Sequence, residues 1–229
     1  MSKSDFDDAH DEPTLLGWVG AAAASVRWLR ATLIVSLLLV AAVPLVISDS
    51  YSVIEHTLSE SGAQGVEGAW VFRLGVVLAA CSVLMLTVTA SSVWGPAGKW
   101  WLRVYGLTLI MATVFSEAPW DGGAYDETEA TLHTVFGFLA GVSFLLGVVA
   151  VSTSRPRDGL VVRAFDWVVV AAVAVTPLIM MVVDRDGLLQ RLFVVLGYLW
   201  LLVEATRIGQ VTRHSQPASQ AIHRTNTRT

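Results

Sequence analysis

The chain has 229 residues, 54% of them hydrophobic and 15% charged, with a mean hydropathy of +0.61, which excludes an ordinary soluble domain with a polar surface. A net charge of -4 and a pI near 5.7 leave no basic face for phosphates, so nucleic acid is excluded as a partner. The lone cysteine, Cys81, lies inside an apolar block, which excludes an intrachain disulfide and a cysteine-based metal site.

In chain order, residues 1–28 form an acidic segment (Asp5, Asp7, Asp8, Asp11, Glu12) without the basic start and cleavage site of a secretory signal. The first apolar run, "LRATLIVSLLLVAAVPLVI", covers about 29–47, and the second, "AWVFRLGVVLAACSVLMLTVTA", about 69–90. A third and shortest run covers about 100–117, followed by runs at about 134–152, 165–183 and 188–208. Each has about the length that crosses a ~30 Å hydrocarbon core at 1.5 Å per residue. The pattern predicts an all-α membrane protein, a six-transmembrane-helix bundle over 29–208 arranged as three helical hairpins, the last closed by the tight turn "DRDG". Residues 209–229, rich in Arg, Gln, Ser and Thr, read as a disordered cytoplasmic tail.

Positive charge sets the orientation. With a cytoplasmic N-terminus, the inner segments hold 12 of the 15 basic residues, leaving only Arg73, Arg185 and Arg191 outside. Both termini then lie in the cytoplasm, and the chain is assigned to the inner (plasma) membrane of a bacterial-type cell. Trp70, Trp94, Trp100, Trp101, Trp120 and Trp167 fall near predicted span ends, where indoles suit the headgroup layer.

This orientation gathers 11 acids and three arginines on the outer face. "SDSYSVIEHTLSESGAQGVEG" (48–68) and "SEAPWDGGAYDETEATLH" (116–133) contain neither Lys nor Arg. If "IEHTLSESG" is helical, His56, Ser59 and Glu60 share a face, and Glu129 and His133 repeat the i, i+4 spacing at the entrance to the fourth span. Glu117 and Asp121 have the same spacing, but Pro119 interrupts a helix there. The candidate ligand-binding residues are therefore His56, Ser59, Glu60, Glu117, Asp121 and His133. Exclusion of Lys and Arg by topology alone also accounts for such a face, with the acids as solubilising groups. His133 stands where polar loop meets apolar helix, a position for a ligand, a base or a proton carrier, or for a histidine that simply bonds the loop. Asp121, before Gly122 and Gly123, suits a turn as well as a ligand. The small residues Ser59, Ser61, Gly62 and Gly65 permit close approach of a helix or a headgroup. His133, Asp121 and His56 form a candidate zinc-type set, with Glu60 or Glu117 as a base, although no HExxH or HxxxH motif is present.

Charges within spans need partners. Arg73 is expected to pair with Glu117, Asp121 or Glu67, and Glu204 with Arg207 and with Arg103 across the bundle.

"TLSESGAQG" (57–65), a glycine-bearing second span, "FSEAPWD" (115–121) and a histidine opening the fourth span together resemble the six-helix integral membrane family called domain of unknown function 998. The resemblance covers roughly residues 30–208. It implies family positions at Ser59 or Ser61, Gly62, Pro119, Asp121 and His133, with Ala118 where the family has Phe. The family supplies no reaction. A more distant similarity, to membrane hydrolases of the alkaline ceramidase type, rests on a shared His, Asp and Ser inventory. The expected function is that of a multi-pass membrane protein whose acidic outer site binds a cation, a lipid headgroup or a partner. The alternatives are a metal-dependent hydrolase or transferase acting on outer-leaflet lipid and, third, a small transporter using Glu204 or Asp166. Whether the protein is an enzyme, and its oligomeric state, stay open from the residues.

Overall fold

The structure is a computed structural model that describes residues 15–48, 50–90, 93–155, 159–183 and 185–214, with side chains between 25 and 211. Among the described residues every regular element is helical: α1 (Leu15–Ala42), α2 (Ala69–Thr89), α3 (Pro96–Val114), α4 (Glu127–Thr153), α5 (Leu160–Met180) and α6 (Asp186–His214), with short 3-10 turns at Val43–Leu45 and Glu60–Gly62. Local chemistry sets the boundaries. Pro44 closes α1 into a 3-10 turn, and Pro96 opens α3, where its missing N–H costs nothing. Asp126 caps α4 by accepting from the Glu129 N–H at 3.0 Å. Gly68 precedes α2 at φ 83°, with its Cα against the Val46 carbonyl, so both the dihedral and the space require glycine.

Five helical stretches are long and apolar enough to cross a membrane: Ser25–Leu45, Ala69–Thr89, Glu127–Thr153, Leu160–Met180 and Asp186–Val211. The protein is a multi-pass membrane protein. The third expected span is the exception, because Lys99, Trp100, Trp101 and Arg103 crowd the start of α3 and lower its apolar content. Several expected boundaries also shift. The helix of α1 begins at Leu15, within the segment read as an acidic extension; α4 starts a full two turns before 134; and α6 continues to His214, past the expected end at 208. Residues 1–14 of the expected acidic segment (1–28) and 215–229 of the expected tail (209–229) lie outside the described residues.

Each helix packs against its neighbours in sequence, and α6 returns against α1, so the six close into a ring. The tightest seams are lined with glycine. Gly75 of α2 abuts Ser36 and Val40 of α1, Gly106 of α3 abuts Ala80 and Leu84 of α2, and Gly98 and Gly147 bring α3 and α4 together at Val151 and Leu102. In lipid, close approach of backbones replaces the hydrophobic drive that helices have in water. Helix α5 contains no glycine and makes the loosest seams, against α4 and α6. Leu38, Val88, Leu107, Phe138, Val168 and Leu178 project outward, an apolar exterior suited to acyl chains. Trp70, Trp100 and Trp167 are exposed, whereas Trp94 is completely buried and is not an interfacial anchor.

Candidate functional site

The segments 46–68 and 115–126 and the start of α6 meet at one end of the ring, the acidic end. The stretch 51–59 is a series of turns, not the helix that would align His56, Ser59 and Glu60. Thr57 and Glu60 instead form a capping box: the Glu60 N–H donates to Thr57 Oγ1 at 3.2 Å and the Thr57 N–H donates to the Glu60 carboxylate. Three further acids do similar work. Glu129 accepts from the Ser116 N–H (2.8 Å), Glu117 from the Ala118 N–H (3.0 Å) and Asp121 from the Gly123 N–H (3.0 Å). Much of the acidity that marks these loops in sequence is spent on backbone N–H donors.

The residues that hold the loops down carried no sequence signal. Gln64 joins the two long segments: its backbone N–H donates to the Glu117 carbonyl (3.0 Å), its side-chain NH2 to the Ser116 and Asp126 carbonyls (3.1 and 3.0 Å), and its side-chain oxygen accepts from the Asp126 N–H (2.8 Å). Gln190 of α6 accepts from the backbone N–H groups of Leu58 and Ser59. Arg191 donates to the Val53, His56 and Gly187 carbonyls at 2.8, 3.0 and 2.9 Å, and to the Tyr51 hydroxyl. Burial raises the Tyr51 phenol above its ordinary range, and the Arg191 guanidinium beside it partly opposes that rise. A Cβ at Gly187 would collide with the His56 and Val53 carbonyls, which explains a glycine in the first turn of α6. Only a structure reveals such staples, because amides and arginines acting on distant carbonyls leave no spacing pattern.

Arg73 also acts on backbone. It donates to the Gly62 carbonyl (3.0 and 3.2 Å) and the Ala63 carbonyl (3.2 Å). Among the described residues no ion pair joins it to Glu117, Asp121 or Glu67, which corrects the expected pairing. Ser61 and Gly62 are buried beneath this clasp, with Gly62 against the Phe72 ring.

His133 is buried and faces the bundle. Its Nδ1–H donates to the Ala112 and Phe115 carbonyls at 2.7 and 2.9 Å, since carbonyls only accept. Nε2 is left facing Glu117 Oε2 at 3.6 Å. The i, i+4 pair on α4 therefore does one job from two levels: Glu129 and His133 both grip the end of α3 and the chain just after it.

The other candidates separate. His56 accepts from the Ser52 N–H (2.9 Å) and sits in an aromatic group with Tyr51 and Trp120, its ring centroid 5.6 and 5.7 Å from theirs. Asp121 is exposed in a turn at the rim of a polar cleft of about 660 Å³, with Glu67, Gln64, Ser50 and Trp120. Among the described residues no group of three or more His, Cys, Asp or Glu is arranged to hold a metal. His133, Asp121 and His56 of the expected zinc-type set are not brought together in such a group. Asp49 and Asp184 lie outside the described residues.

Beneath the loops lies a chamber of about 210 Å³ to which all six helices contribute. Its wall is mainly apolar, with Val76, Leu109, Phe144, Val173 and Phe193 among its residues, and at the acidic end it is bounded by Ser59, Gln190 and His133. Tyr105 and Tyr198 lie deeper, and the Tyr198 hydroxyl is 2.6 Å from Ser36 Oγ, which in turn donates to the Gly75 carbonyl at 2.6 Å.

The opposite end holds a second polar cluster. Glu204, completely buried, accepts from Arg155 (2.9 and 3.1 Å), Arg207 (3.1 Å) and the Trp94 indole (2.7 Å). Arg155 also donates to Asp166 of α5 (3.3 Å), and Asp166 accepts from the Trp200 indole (2.9 Å). Arg207 is the partner expected for Glu204. Arg103 is not, because it donates to Thr87 Oγ1 at 3.1 Å. Arg155, just past the end of α4, reads in sequence as an ordinary loop cation.

A family model described as "Protein of unknown function (DUF998)" matches residues 31–207. The chain belongs to the DUF998 family. The matched stretch runs from the middle of α1 to Arg207, so in this DUF998 protein it takes in the loop staples, the chamber and the buried charge cluster alike. The positions of the earlier resemblance divide between these features: Ser59 and His133 line the chamber, Ser61 and Gly62 lie under the Arg73 clasp, and Pro119 and Asp121 border the polar cleft. No curated protein and no solved structure matches the chain.

Proposed function

We propose that this DUF998 protein binds a lipid-like amphiphile at its acidic end, with the apolar part of the ligand in the central chamber and its polar head near Ser59, Gln190 and the His133–Glu117 pair. The observation that carries this reading is the distribution of polarity in the chamber. Its wall is hydrocarbon through most of its depth, and polar side chains gather mainly where it meets the loops. Ligand sites of this kind combine a largely apolar wall with a few convergent polar groups. A headgroup that carries positive charge or donates hydrogen bonds suits the Glu117 carboxylate. The acidic end is extracytoplasmic in this reading, the helices form three antiparallel hairpins, and both termini are cytoplasmic, as the sorting of 12 of 15 basic residues requires.

The test is binding of a single-chain fluorescent amphiphile to the purified full-length protein. Binding is expected to saturate and to be lost in Gly141→Leu, which adds a side chain at a position that lines the chamber and has open space for it. Binding that does not saturate, or that Gly141→Leu leaves intact, would overturn the proposal.

A further inference from the structure

The roof of the chamber and its side differ in how open they are. Over the acidic end, Leu58 and Ser59 cover the chamber, and Leu58 is buried. This cover is fixed by the Gln190 side chain, by the capping box of Thr57 and Glu60, and by the Arg73 and Arg191 clasps on either side. On the flank, Gly137 of α4 lines the chamber and is itself exposed, one turn from His133. A Cβ at Gly137 or at Gly141 would meet nothing within 4 Å. Phe138, the next residue round the helix, is exposed and apolar, so this flank of α4 faces the hydrocarbon of the bilayer and not water. On the side of α5 the chamber wall includes Val173, and the seam that α5 makes with α4 is a loose one.

Size limits what passes. A chamber of about 210 Å³ is only modestly larger than the ~150 Å³ apolar cavity that takes up a benzene-sized solute, and smaller than the roughly 300–1,000 Å³ of sites that enclose a whole drug-sized molecule. It has room for part of one hydrocarbon chain, with the remainder of the lipid left outside.

Building on the chamber reading above, we infer that Gly137 marks a lateral portal through which one chain of a membrane lipid enters from the leaflet at the acidic end. The head stays at the membrane surface beside His133 and Glu117, and the second chain, where there is one, stays in the bilayer. The loop roof excludes water and positions the polar rim; it does not open to admit the ligand.

The experiment uses the full chain in nanodiscs containing a phospholipid with a photoreactive group at the end of one chain, the labelled peptides being mapped by mass spectrometry. A water-soluble short-chain amphiphile with the same group serves as a second probe of the protein in detergent. In the wild type both probes are expected to label peptides bearing chamber residues such as Phe144 and Val173. Gly137→Trp is expected to slow labelling by the phospholipid about tenfold, equivalent to an added barrier of ~1.4 kcal/mol, and Gly137→Leu to slow it less. Gly141→Leu is expected to abolish labelling by both probes. Unchanged melting temperatures check the fold of each variant, which the open space at both glycines favours. If both probes label the wild-type chamber but Gly137→Trp does not slow the phospholipid, the portal is refuted while the chamber stands. Failure of both probes to label the wild-type chamber overturns the chamber reading and the portal with it.

Discussion

Among the described residues Glu204 is the most deeply buried charged side chain. It has no solvent exposure, so its charge is tolerated because Arg155, Arg207 and the Trp94 indole point at it. Breaking a buried pair from one side is expensive because the remaining charge loses its balance without regaining water. Glu204→Gln is expected to destabilise the protein by roughly 3–5 kcal/mol, measured by denaturant titration in detergent micelles. Adding Arg155→Met is not expected to recover that loss, because it also takes the guanidinium away from the buried Asp166. A single variant as stable as the wild type would show that the cluster is dispensable. His133 is constrained differently: with Nδ1–H held by two carbonyls, only Nε2 is presented to Glu117 and the chamber.

Among the elements, α5 stands apart. It has no glycine seam, most of its large side chains face outward, and Pro177 removes a backbone donor near its acidic end. Polar attachment therefore comes chiefly from Asp166, through Arg155 and the Trp200 indole, at the end opposite the loops. Asp166→Asn is expected to speed amide hydrogen exchange in α5 well beyond any change in α2 or α3, which are packed through glycines on both sides. Exchange that rises equally in all helices would mean that α5 has no separate attachment. An element fastened at one end and loosely packed at the other is also the element expected to border a lateral portal.

For the whole molecule, the decisive question is which end faces which compartment. In a Cys81→Ser background, cysteines at the exposed positions Glu55 and Tyr125 are expected to react with an impermeant maleimide added to intact cells. A cysteine at the exposed Thr153, at the opposite end, should react only after permeabilisation. The reverse pattern would invert the orientation and place the acidic end in the cytoplasm.

The membrane class, the helical content and most helix positions are legible in the residues, because the length and apolarity of each run are one-dimensional properties that a bilayer reads one segment at a time. His133 was also legible as a site candidate, since it stands alone at a boundary between polar loop and apolar helix. Family membership followed from short motifs in the same way. The partners of those residues were not legible. That Glu129 and His133 grip one stretch of chain, that Arg73 and Arg191 clasp carbonyls and not carboxylates, and that Glu204 joins Arg155 across a span of 49 residues all depend on which helices close the ring. The same closure decides that a chamber exists at all. A cavity is a property of several walls at once, and no single segment of sequence carries it.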